Sequence, residues 1–123
     1  MHVAETDYQV YLRLDGRTLV LSGLADTGNR LEDFFSGLLV IVCSAESLAQ
    51  LQNGMPIEKL PHYRVIPCAT VTSEGVMPLF RPDEICIRQM TQNKCKHIHT
   101  VDAMIGIAGT QKTAIFHPKL IGK

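Results

Sequence analysis

The chain has 123 residues, 46% of them apolar and 20% charged, with twelve Lys and Arg balanced by twelve Asp and Glu. That length suits one domain with one ordinary core, and residues 1–123 read as such, with 1–7 as a lead-in. Zero net charge and a pI near 6.9 argue against a protein that grips nucleic acid through a basic surface.

Cysteines stand at 43, 68, 86 and 95 with no Cys-x-x-Cys pair, so neither a zinc ribbon nor a thioredoxin motif is written here. A core of this size needs no disulfide, and the thiols are expected reduced and mostly buried. Nothing resembles a signal peptide, and no apolar run nears the ~20 residues that span a bilayer.

Gly and Pro cut the chain into short pieces. Tyr8 to Leu14 alternates apolar and polar, as a half-buried strand does, and Arg17 to Leu24 returns the same pattern. Between them, Asp15-Gly16 is a strong hairpin signal, because both central positions of a type I′ turn want positive φ. A polar loop, Asp26-Thr27-Gly28-Asn29-Arg30, follows. Leu38 to Val42 is apolar on both faces and belongs in the middle of a core. Ser44 reads as the N-cap of a helix over Ala45 to Gln52, stopped by Asn53-Gly54.

Tyr63 to Val71 and Val76 to Phe80 form a second predicted hairpin with Thr72, Ser73, Glu74 and Gly75 at its tip. Strands are then expected at Ile85 to Gln89, Lys96 to His99, Ala103 to Ile107 and Ala114 to Phe116, with a turn at Gln92-Asn93-Lys94. Pro118 to Ile121 reads as a terminal turn. About eight short strands and one or two short helices predict an all-β barrel or sandwich rather than an α/β fold.

The loop at Asp26 is the chemically suggestive segment. A carboxylate at the end of a rigid strand is held accurately, the Thr27 hydroxyl can fix the loop, and Gly28 permits close backbone approach. All four residues of Asp-Thr-Gly-Asn also favour turns, so the tripeptide alone fits a plain structural turn as well. Cys95, His97 and His99 alternate and would share one face of a strand, a possible trio of metal ligands flanked by Lys94 and Lys96. A half-exposed strand explains them equally, and no metal or other cofactor is expected. Cys86 and Cys95 could face each other across a hairpin.

Leu24-Ala25-Asp26-Thr27-Gly28-Asn29 resembles the active-site loop of aspartic peptidases. The longer string from Asp26 to Asp33, Asp-Thr-Gly-Asn-x-Leu-x-Asp, is similar to the sporulation sigma-E factor processing peptidase family. Arg64-Val65-Ile66-Pro67, Thr70-Val71, Gly75 and Phe80-Arg81-Pro82-Asp83 resemble that family's central segment in the same order. Met104-Ile105-Gly106 resembles the motif that backs the catalytic loop in retroviral-type aspartic peptidases. The resemblance runs from about residue 8 to 121. It departs where Asp33-Phe34-Phe35 and Leu38-Leu39 stand in place of the family's Pro after the second Asp and its Pro-Val in the next strand, which bears on the loop's exit path and on substrate preference.

The resemblance implies a retropepsin-like closed β-barrel and an aspartic endopeptidase that removes the pro-sequence from a sporulation sigma factor precursor. Such a domain faces the mother-cell cytoplasm, and its only membrane link is an N-terminal half absent from this chain, which reads as an excised domain. Of the six aspartates, 7, 15, 26, 33, 83 and 102, only Asp26 precedes Thr-Gly. A water-activating pair of carboxylates therefore calls for a symmetric homodimer with Asp26 of each copy on the two-fold axis. Thr27 is then expected to bond across that axis, and the Gly28 N–H to support the carboxylate. The hairpin tipped by Thr72, Ser73, Glu74 and Gly75 is the candidate flap, although an ordinary surface hairpin has the same signature. A β-module that binds protein or a small ligand, with Asp-Thr-Gly as a turn, is the competing expectation, and a metal-binding β-domain centred on Cys95, His97 and His99 is a third.

Overall fold

Asp15 and Gly16 both hold positive φ, 50° and 78°, and this turn folds β1 (Asp7–Leu14) back on β2 (Arg17–Ala25) in the expected register, with Leu14 opposite Arg17. The computed structural model describes residues 7–69 and 74–123. Asp7 already pairs with Met90, so the strand begins inside the expected lead-in. Val10, Leu12 and Leu14 face inward from β1 and are fully buried, as period-2 alternation requires.

β3 (Val40–Cys43) is followed by α1 (Ala45–Gln52). The Ser44 side chain accepts from Ser47 N–H at 3.1 Å, and Asn53 closes the helix in the left-handed region at φ 51°. Leu48 and Leu51 point into the core, and Arg17 donates through Nε and Nη2 to Leu51 O at 3.1 and 2.8 Å, tying the helix end to β2. A short 3-10 helix at Ile57–Lys59, after Pro56, was not predicted by the sequence pattern. Then come β4 (Arg64–Ala69), β5 (Glu74–Phe80), β6 (Glu84–Thr91), β7 (Lys94–Thr100), β8 (Met104–Ile107) and β9 (Ala114–Phe116). The predicted terminal turn is a 3-10 helix, Pro118–Ile121.

These nine described strands form one open mixed sheet in the order β4-β5-β8-β3-β9-β2-β1-β6-β7. The ladders β2–β9 and β3–β8 are parallel and the others antiparallel. The all-β expectation holds. In place of a closed barrel, the hydrogen-bonded order has two ends, β4 and β7.

β3, apolar on both faces, lies centrally between β8 and β9, where both faces are covered. The larger core cluster gathers β1, α1, β6 and Phe116. A smaller one gathers Val40, Ile66, Met77, Leu79 and Met104, with Leu31, Val42, Cys68 and Ala108 packed against it.

All four cysteines are free. Cys43 and Cys86 are buried, while Cys95 is exposed. Cys86 lies opposite Thr100, and Cys95 opposite Met90. The two thiols are therefore not cross-strand partners, because the two-residue turn at Gln92-Asn93 sets a register four to five pairs away from the one they need. No helix among the described residues is long and apolar enough to cross a membrane.

Candidate active site

β2 delivers Asp26 at its end, and the loop is fastened to neighbours on both sides. Asp26 N–H donates to Phe116 O of β9 at 2.8 Å, and Asn29 N–H closes a turn onto Asp26 O at 3.1 Å. Gly28 N–H donates to Asp26 Oδ1 at 2.8 Å. A Cβ on Gly28 would sit 3.2 Å from that oxygen, so the missing side chain keeps the N–H and the carboxylate close. Asp26, Thr27 and Gly28 are all exposed. The carboxylate is therefore held from one side and presented to solvent on the other.

Asn29 is the anchor beneath. It is buried, and its Nδ2 donates to Val40 O of β3 at 3.0 Å and to Ile115 O of β9 at 3.1 Å. One amide thus pins the loop to two core strands, which the sequence suggested only as loop support. Three strands from β2 in the sheet, Met104, Ile105 and Gly106 form the heart of β8, which pairs in parallel with β3. A Cβ on Gly106 would meet Met77 Sδ at 2.5 Å and Val40 Cγ1 at 2.6 Å. Gly106 lets β3 and β5 close up, and the Val40 carbonyl of β3 accepts from Asn29.

Asp26 opens onto a cleft of about 500 Å³ whose walls are Gly28, Asn29, Arg30, Leu31, Val42, Cys68, Met77, Ala108 and Ile115. Leu31, Val42, Cys68, Met77 and Ala108 also belong to the smaller core cluster, so the cleft floor is the solvent side of that cluster. Apart from Gly28 and Asn29 of the loop itself, sequence reasoning did not find these wall residues. They come from six separate segments, and only the sheet order brings them together. Cys68 and Met77 place the hairpin of β4 and β5 along one side. Of its predicted tip, Thr72 and Ser73 lie outside the described residues. Glu74 and Gly75 begin β5, paired with Ala69 and Cys68.

Cys95, His97 and His99 fall on edge strand β7. The rings of His97 and His99 are 6.2 Å apart between centroids, and Cys95 Sγ donates to His97 O at 3.5 Å. Among the described residues, no three His, Cys, Asp or Glu side chains are arranged to hold a metal.

Asp33, the second acid of the string, is buried rather than catalytic in placement. Burial raises its pKa, but the Ser36 hydroxyl, the Phe35 N–H, the Arg64 guanidinium and the Ser36 N–H together hold it below the usual carboxylate value. Arg64 Nε is 3.5 Å from Asp33 Oδ2.

A mostly β fold with a strand-end acid over an apolar cleft is found here in a chain whose residues 1–114 match the model of a peptidase family, U4, which sets its class as a peptidase. The chain belongs to that family, described as Sporulation factor SpoIIGA. No curated protein and no solved structure gives a significant match.

Proposed function

We propose that the chain is an aspartic endopeptidase domain that works as a symmetric homodimer, with Asp26 of each copy forming the catalytic dyad. The observation that carries this reading is an exposed Asp26 held by the Gly28 N–H at the mouth of a cleft with apolar walls. Two carboxylates about 3 Å apart cannot both ionise easily, so they share a proton. The ionised one takes a proton from water as its oxygen attacks the scissile carbonyl carbon. The protonated one gives its proton to the carbonyl oxygen. Collapse of the tetrahedral intermediate breaks the C–N bond, and the leaving nitrogen takes a proton from the dyad. No metal or cofactor enters.

An extended peptide lying in the cleft presents apolar side chains to Leu31, Val42 and Met77. The hairpin of β4 and β5 covers it as a flap and excludes water. Family membership supports a sporulation role, and the substrate in this reading is the sigma-E factor precursor, cut near its N-terminus. Two copies facing each other complete a retropepsin-like arrangement at the mother-cell face of the membrane.

The test is Asp26→Asn. Cleavage of a co-expressed precursor is expected to disappear, while far-UV circular dichroism and the unfolding midpoint stay near those of the parent chain. Undiminished cleavage by the variant removes Asp26 from the chemistry and leaves Asp-Thr-Gly as a turn in a binding module.

A further inference from the structure

Asp33 to Gly37 form a turn tied down from several sides. The Asp33 carboxylate is 0% exposed and accepts from Ser36 Oγ at 2.6 Å and from the Phe35 and Ser36 N–H groups, each at 3.3 Å. Gly37 N–H donates to Asp33 O at 2.7 Å, and Asp33 N–H to Leu38 O at 2.8 Å. The Arg64 guanidinium carbon lies 5.1 Å from the centroid of the Phe35 ring. Despite all this order, Phe34 and Phe35 are both 80% exposed. A slack loop would fold two neighbouring phenylalanines inward, whereas this one is braced to hold them in water, which marks a contact surface.

We propose that Phe34 and Phe35 are an accessory substrate-binding surface that grips an apolar segment of the polypeptide outside the cleft. The inference rests on the reading of the Asp26 cleft as a peptidase site. The turn follows a cleft wall in the chain, and its Arg64 brace stands on a strand that supplies another. Leu31 lines the cleft and precedes Phe34 by three residues, so their Cα atoms are within about 11 Å. Arg64 opens β4, whose Cys68 lines the same cleft. A substrate strand advancing about 3.3 Å per residue covers that interval in three or four residues. The partner chemistry is aliphatic or aromatic, because the two rings offer apolar area and the Arg64 beside Phe35 is engaged with Asp33.

The experiment compares the parent chain with Phe34→Ser/Phe35→Ser on two peptides from the precursor. One spans four residues either side of the cut, and the other is extended by eight apolar-rich residues at each end. The parent is expected to favour the longer peptide in KM by about tenfold or more, the value of one or two buried phenylalanines, and the variant to lose that preference. A preference equal in both proteins overturns the proposal. The same pair of peptides is bound to Asp26→Asn chains, with and without the two Ser substitutions, and read by fluorescence anisotropy. A length preference in binding that depends on the phenylalanines supports the surface even if the parent cleaves nothing, an outcome that would sink the Asp26 reading alone. If the Ser variant changes only the sedimentation mass, the surface is a contact between copies and the proposal falls.

Discussion

A carboxylate with no solvent exposure needs partners, and Asp33 has four: Ser36 Oγ, two N–H groups and Arg64. Because they favour its ionised form, its folded pKa lies below the unfolded value of about 4. The ion's contribution is complete above that unfolded value and is lost as the pH falls through the folded one. Asp33→Asn keeps the shape but surrenders the charge, and is expected to cost about 1–3 kcal/mol near neutral pH. The gap from the parent chain should narrow on acidification below about pH 4. Urea unfolding of both proteins at pH 7 and pH 3 measures this, and a gap that widens in acid contradicts it. Cys43 shows the opposite physics. Burial without a partner pushes its thiol up to about 12, so it is an inert packing group.

At the level of elements, β3 and β8 govern the site. Gly106 allows β8 to lie against Val40 and Met77 without room for a methyl group. Gly106→Ala is expected to lose about 1–3 kcal/mol through overpacking, and to lower activity further by displacing Val40, whose carbonyl holds Asn29. Chemical denaturation and peptide cleavage together check it, and an unfolding midpoint equal to the parent's refutes the packing argument.

The legible parts of this architecture were those set by local rules. The Asp15-Gly16 turn, the Ser44 cap, the Asn53 stop and the β1 alternation follow from φ preferences, capping and period-2 patterning, and they fall at the expected residues. The Asp26 loop was legible as a motif, with its Gly28 N–H on the carboxylate. Non-local facts were out of reach. That β9 sits between β2 and β3 is decided by sheet order, so Ile115 as a cleft wall and as an acceptor for Asn29 has no local signal. Nor could spacing distinguish a closed barrel from an open sheet, since closure depends on whether β4 and β7 meet.

For the molecule as a whole, the proposal requires two copies, because among the described aspartates Asp26 alone stands exposed at a strand end over the cleft, and one carboxylate cannot be base and acid at once. A stable pair needs more than about 1,000 Å² of buried surface. Shared chemistry across a two-fold axis has a signature in mixing. When wild-type and Asp26→Asn chains are combined in equal amounts at constant total concentration and allowed to exchange, random pairing leaves about a quarter of the dimers with two intact acids. Cleavage should fall to about a quarter of the unmixed rate, against about half if each chain acted alone. Dilution separates the cases again, since a dimeric catalyst loses specific activity once below its dissociation constant while a monomeric one does not. A mixed rate of one half, unchanged on dilution, would mean that a single Asp26 suffices, and the catalytic partner would then have to be sought within the same chain.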